Sequence, residues 1–113
     1  MSCLFCKIIR QEIPANIVYE ADDILAFEDV NPQAPVHILV IPRKHIATTL
    51  DITDDDNELI GKMHQVAAKI AQDRSVADKG FRLVMNCNRD AGQTVFHIHL
   101  HLIGGRPMNW PPG

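Results

Sequence analysis

The stretch VFHIHLHLI, Val95 to Ile103, sets three of the chain's six histidines at alternate positions. Alternation with a period of two is the pattern of a β-strand, whose side chains point to opposite faces in turn. A strand over Val95–Ile103 therefore gathers His97, His99 and His101 on one face. Ile98, Leu100 and Leu102 share the other face, which belongs to a core. At roughly 3.3 Å per residue, neighbouring histidines in this row are about 6.6 Å apart at Cα.

Working outward, the rest of the chain supplies strands for this one to pair with. VHILVIP (Val36–Pro42) is a nearly continuous apolar run, as expected of a strand covered on both faces. IVYE (Ile17–Glu20) and ILAFED (Ile24–Asp29) are rich in β-branched and aromatic residues, and Ala21, Asp22 and Asp23 between them form a hairpin turn. FRLVMN (Phe81–Asn86) reads as a further strand. Leu59, Ile60, Met63, Val66, Ala67 and Ile70 form one apolar stripe at helical spacing. That long helix starts near Asp54, where Thr53 and Asp56 make a capping pair and acidic residues meet the positive end of the helix dipole. A short helix over Cys3–Gln11 is closed by Pro14. Strands outnumber helices and the connections are mostly short turns, so the expected class is α+β: an antiparallel sheet with the long helix covering one face.

Composition limits what such a domain does. With 113 residues, 46% hydrophobic and 22% charged, the chain is expected to be one domain, 1–113. A net charge of −3 and a pI near 6.0 provide no basic stripe to neutralise a nucleic-acid backbone, so no nucleic-acid partner is expected. No run of 18 apolar residues and no leader-like N-terminus occur, so no membrane partner is expected and the protein reads as cytoplasmic. Three cysteines, an odd number, favour free thiols or metal ligands over a disulfide framework.

Three readings of the histidine row compete. Histidines tolerated on a half-exposed strand would need no function, but histidine has no strand propensity that explains three in register. A single zinc bound by all three would require the outer rings, about 13 Å apart on an extended strand, to converge on bonds of about 2.1 Å; two could share a metal, three could not. The catalytic reading needs no such distortion, because imidazole serves as nucleophile, acid or base near neutral pH. AGQT before the row and GG after it add unobstructed backbone amides suited to a phosphate. A phosphorus acceptor beside a neutral imidazole nitrogen points to a phospho-histidine intermediate, with a neighbouring histidine serving the departing group.

HIHLHLIGG resembles the H-x-H-x-H-x-x signature of the histidine triad superfamily of nucleotide hydrolases and transferases. KIIRQEIPA, LAFEDVNPQAPVHILVIP, GQTVFHIHLHLIGGR and the terminal WPPG extend the likeness over nearly the whole chain and to the HINT branch, the purine nucleoside phosphoramidases. The resemblance implies a HIT-like fold: a five-stranded antiparallel sheet with one long and one short helix, two copies pairing into a ten-stranded sheet. It also implies hydrolysis of the P–N bond of nucleoside 5′-phosphoramidates of the AMP-amine or AMP-lysine type. The products would be AMP or GMP and the free amine, with no cofactor needed for catalysis. A third triad histidine, where the nucleotidylyltransferase branch has glutamine, argues for hydrolysis. WPPG argues against the dinucleoside polyphosphate hydrolases, which stand as the alternative together with a non-catalytic nucleotide-binding or protein-interaction module.

By the same resemblance His99 is the nucleophile, His101 lies against the phosphate and leaving amine, and His97 and His37 orient and tune the nucleophile through hydrogen bonds. Gly92, Thr94 and Asn86 match the phosphate and leaving-group contacts. Asp29 matches the carboxylate that holds both ribose hydroxyls. Phe5, Ile8, Phe27, Val30 and Leu39 match the purine pocket, although by themselves such residues read equally well as core. Trp110 matches a tryptophan that reaches the partner's site in the family's homodimer; alone, WPPG reads as a mobile tail.

Cys3 and Cys6 form C-x-x-C, a spacing that lets two thiolates reach one metal. Several relatives in the superfamily hold zinc with such a pair, a histidine at the position of His45 and the first triad histidine. The implied structural zinc set is Cys3, Cys6, His45 and His97. Many HINT proteins lack the cysteine pair, so this chain departs from the usual pattern toward a complete tetrahedral site. Two free thiols packed as small hydrophobes are the alternative. Cys87 and His64 carry no assignment.

Overall fold

The apolar patterns fold into one sheet in the computed structural model, which describes residues 3–113. In chain order the elements are α1 (Leu4–Ile9), β1 (Ile17–Glu20), β2 (Ile24–Glu28), β3 (Val36–Pro42), α2 (Asn57–Asp73), β4 (Phe81–Val84) and β5 (Leu100–Gly104). The five strands pair in the order β1-β2-β3-β5-β4, every neighbour antiparallel.

β3 lies at the centre, as its unbroken apolar run requires. Ile38 and Val40 face α2 and join Met63, Val66, Ala67 and Ile70 of that helix in the main core. Leu39 and Ile41 face the other way and pack with Phe5, Leu25 and Phe27 in a second, smaller core under α1. α2 begins three residues later than expected, because Asp54–Asp56 form a 3-10 turn first. The expected capping pair is nevertheless present: the Asp56 carboxylate accepts from the Thr53 amide at 3.0 Å and its hydroxyl at 3.3 Å, and Lys44 Nζ lies 2.6 Å away.

The largest departure from expectation falls on the histidine stretch. β5 starts at Leu100, not Val95, so only His101 of the three lies within the strand. The cause is Pro42. The β3–β5 register pairs Val40 with Leu100, and its next hydrogen-bonded pair, past Ile41 and His99, would be Pro42 with Ile98. Proline has no N–H to give to that pair. The ladder stops, the Pro42 carbonyl accepts instead from His97 Nε2 at 2.7 Å, and the Ile98 amide donates to the Ile46 carbonyl at 2.7 Å. Facing survives the loss of pairing, since Ile98, Leu100 and Leu102 are all in the main core. β2 and β4 are also shorter than expected, ending at Glu28 and Val84.

Candidate active site

A cleft of about 430 Å³ lies on the sheet face opposite α2. Its polar end is formed by His99 and His101 together with Asn86, Gly92 and Thr94 from the loop between β4 and β5. Its apolar end is formed by Phe5 and Ile8 of α1, Phe27 of β2 and Leu39 of β3, with Asp29 and Val30 at the rim. The structure thus gathers every residue expected to bind substrate except Trp110, which is exposed in the C-terminal tail. The motif reading missed Leu4, Ile13, Pro14, Ala15, Glu28 and Val95, which also line the cleft. Apart from the turn signal of Pro14, nothing marks them in the sequence.

Hydrogen bonds fix which nitrogen of each ring carries its proton. His99 Nδ1 lies 2.8 Å from the His97 carbonyl, which can only accept, so Nδ1 carries the proton and Nε2 keeps its lone pair. His37 Nδ1 accepts from the Gln33 amide at 3.0 Å, leaving His37 Nε2 to donate across 2.9 Å to His101 Nδ1. His101 therefore carries its proton on Nε2. Two adjacent rings, with centroids 5.0 Å apart, are thereby prepared as opposites: His99 with a free electron pair and His101 with a proton to offer.

Burial keeps these rings neutral. It lowers the proton affinity of His99, against the opposing effects of the His97 carbonyl and Asp29. His37 is lowered for the same reason, with Asp29 opposing. His101 falls furthest, to about 4, through burial and then through its histidine neighbours His99 and His37. Asp29, 3.4 Å from His37 Nε2, also orders the loop by accepting from the Asn31 amide at 2.8 Å. Asp29, His37 and His101 lie close enough together to suggest a cation site. The proton that His37 shares with His101 already occupies that space.

Of its two implied places, beside the nucleophile and in the cysteine and histidine set, the His97 ring occupies the second. The ring is fully buried, and it is the main-chain carbonyl of His97, not the ring, that accepts from His99 Nδ1. With Nε2 donating to Pro42, His97 Nδ1 presents a lone pair 3.4 Å from Cys3 Sγ, 3.6 Å from Cys6 Sγ and 3.2 Å from His45 Nδ1. Cys6 Sγ is 3.4 Å from His45 Nδ1. Zinc bonds of about 2.3 Å to sulfur and about 2.1 Å to nitrogen give tetrahedral edges of about 3.4–3.8 Å; the three sulfur–nitrogen edges fall in that range and the nitrogen–nitrogen edge is slightly shorter, so the donor set suits a zinc ion. The carbonyl on His97 Nε2 holds the ring in the orientation such a ligand needs.

A wider depression of about 840 Å³ lies along α2, lined by Asp23, Lys44, Asp56 and Lys62 among others. Both of its lysines are engaged, Lys44 by Asp56 and Lys62 by Asp23, and it holds no histidine or cysteine.

Comparison with known proteins agrees with this geometry. The HIT domain model matches residues 10–108. An uncharacterized HIT-like protein of Synechocystis is 54% identical over 110 residues, covering 97% of this chain and 96% of its own. The purine nucleoside phosphoramidase of Escherichia coli K12 is 52% identical over 105 residues, covering 93% of this chain and 88% of its own. Among solved structures, a HIT family hydrolase from Legionella pneumophila superimposes with a TM-score of 0.97 at 56% identity, covering 99% of this chain and all of that one. The chain belongs to the HIT domain family. Within that family it is a hydrolase.

Proposed function

We propose that the protein is a purine nucleoside phosphoramidase, hydrolysing the P–N bond of nucleoside 5′-phosphoramidates of the AMP-amine or AMP-lysine type. The observation that carries this reading is the opposed preparation of His99 and His101 at the polar end of a cleft whose other end is apolar. The name and 52% identity of the Escherichia coli relative support it. The purine lies among Phe5, Ile8, Phe27, Val30 and Leu39, its ring faces meeting aromatic and aliphatic side chains. Asp29, an acceptor with two oxygens, takes the ribose hydroxyls. Gly92, Thr94 and Asn86 hold the phosphate and the leaving group.

In the first step His99 Nε2 attacks the α-phosphorus, a P–N bond to His99 forms, and the bond to the amine breaks. His101 Nε2–H hydrogen-bonds the phosphate and departing nitrogen, while His37 holds His101 in the required tautomer. In the second step water displaces His99, which returns to its Nδ1–H form on the His97 carbonyl. The departing nitrogen takes its proton from His101 Nε2 in the first step, and in the second the water that leaves its hydroxyl on phosphorus returns a proton to His101 Nε2, so one water is consumed overall. The His97 ring, which makes no contact with the reacting atoms in this scheme, supports the carbonyl that orients the nucleophile.

Cys3, Cys6, His45 and His97 would hold a structural zinc, whose closed coordination sphere tethers α1 to the start of the histidine stretch and leaves no position for a reacting water. Two copies would pair through the outer edge of β4, which has no partner strand in a single chain. Arg82 of β4 donates to the Asn109 carbonyl at 3.0 Å and so ties the tail to β4; from there Trp110 would reach the second copy's cleft.

The test compares an adenosine 5′-phosphoramidate with diadenosine polyphosphates as substrates, for the wild type and His99→Ala. Faster turnover of the phosphoramidate, abolished in His99→Ala with AMP binding retained, is expected. Preferential cleavage of the polyphosphates would favour the dinucleoside alternative. AMP binding without turnover of either substrate would favour a binding module.

A further inference from the structure

Gln93 stands between Gly92 and Thr94 yet does not line the cleft; its side chain is buried on the far side of the loop, 5% exposed. There it makes three hydrogen bonds. Nε2 donates to the Ala47 carbonyl at 2.8 Å and to the Val95 carbonyl at 3.1 Å, and Oε1 accepts from the Asn88 amide at 2.8 Å. Both amide protons and one acceptor position are used, so the group has one orientation. The Asn88 carbonyl in turn accepts from the Gln93 amide at 3.1 Å, closing the loop on itself.

The partners explain what this achieves. Asn88 and Val95 bracket the segment that carries Gly92 and Thr94, and Gln93 binds both of them. Ala47 is adjacent to Ile46, whose carbonyl accepts from the amide of Ile98, the residue between His97 and His99. The loop and the nucleophile therefore hang from two successive carbonyls of one segment, and their separation is set by that segment. Besides the Gln93 bonds, this stretch has a single 3-10 turn, Arg89–Ala91, in which the Gly92 amide donates to the Arg89 carbonyl at 3.0 Å; Asn88 and Gly92 on either side have positive φ, 69° and 89°, and the turn does not tie the loop to the nucleophile's segment.

We propose that Gln93 is a positioning residue for phosphate: it fixes the Gly92–Thr94 loop at the distance from His99 that the α-phosphate requires, without touching substrate. This rests on the nucleotide reading above. It separates the two halves of the ligand, because phosphate affinity depends on Gln93 while nucleoside affinity, which resides at the apolar end and Asp29, does not.

Gln93→Met keeps the length and fills the buried space but makes none of the three bonds. Isothermal titration of AMP and of adenosine should show AMP binding weakened about tenfold or more, in line with the loss of a hydrogen-bonded anchor beside a charged group, and adenosine binding unchanged. With an adenosine phosphoramidate, kcat should fall more than KM rises. Equal losses for AMP and adenosine, or no loss for either, would overturn the assignment. A wild type that binds neither ligand would instead overturn the nucleotide reading, and the assignment with it. Should Gln93→Met fail to fold, amide exchange in the wild type decides: a protected Asn88 amide supports the staple, and an Asn88 amide exchanging as fast as an unfolded chain overturns it.

Discussion

His99 Nδ1 donates to the main-chain carbonyl of His97 at 2.8 Å, so the nucleophile is oriented by the backbone of the preceding triad histidine and not by its ring. The two parts of His97 thereby have separate tasks. Its ring belongs to the thiol and imidazole cluster, and its carbonyl belongs to the active site.

His97→Ala retains the carbonyl and removes only the ring. The variant should keep measurable phosphoramidate hydrolysis where His99→Ala has none. It should also lose stability by about 3–5 kcal/mol, the usual range for emptying a fully buried ring site. Denaturant unfolding and single-turnover assays measure both quantities. Activity as low as that of His99→Ala in a folded His97→Ala protein would show that the ring itself takes part.

Metal analysis of untagged protein should find about one zinc per chain, and none in the Cys3→Ser, Cys6→Ser double variant. The melting temperature of the wild type should fall on chelation and recover with added zinc, as for any ligand that binds only the folded state. A double variant with unchanged zinc content would refute the site.

The His101 proton affinity makes a prediction about acid stability. Its folded pKa of about 4 lies below the value near 6.5 of an unfolded histidine, so between these values the unfolded chain binds the proton and the folded chain does not. Stability is thus greatest above pH 6.5 and declines as pH falls toward 4, by up to about 1.4 kcal/mol per pH unit from this group. His37, lowered in the same direction by burial, adds to the decline. Urea midpoints for the wild type and His101→Gln should differ in slope across this window; parallel curves would contradict the shift.

Gly105 has φ of 93°, and a Cβ there would meet Pro35 Cβ at 2.9 Å. Pro35 closes the loop whose Gln33 amide sets the His37 tautomer, and Arg106 Nε also donates to the Gln33 carbonyl at 2.9 Å. Gly105→Ala should lower the melting temperature by several degrees, since it costs roughly 1 kcal/mol or more in backbone strain alone. It should also reduce kcat while leaving adenosine binding intact, although residue 105 lies outside the cleft. Unchanged kcat in this variant would remove the Gln33 loop from the relay.

The sheet was largely legible in the chain because burial on two faces and alternation leave plain traces: β1 and β3 run where their apolar runs place them. The end of β5 nearest the active site was not. Its pattern continues to Val95, but pairing depends on whether the opposite residue offers an N–H, and that residue, Pro42, is more than 50 positions away along the chain. The members of the cleft were legible through the motif. The tautomers were not, since they depend on the Gln33 amide and the carbonyls of His97 and Pro42, main-chain groups that every sequence possesses.

Pro42 also bears on how the fold tolerates change. A completed ladder would satisfy the backbone around His97 and His99 with no help from side chains, and that stretch would be as uniform as the rest of the sheet. Because the pairing stops at Pro42, its carbonyl and the amide of Ile98 bond to other partners, the His97 ring and the Ile46 carbonyl, and each partner brings a separate structural unit to the nucleophile. Replacing Pro42 by a residue that can donate would offer the sheet a way to lengthen. The strand that gained regularity would draw His97 and Ile98 off their present anchors, so a better sheet would make a poorer enzyme.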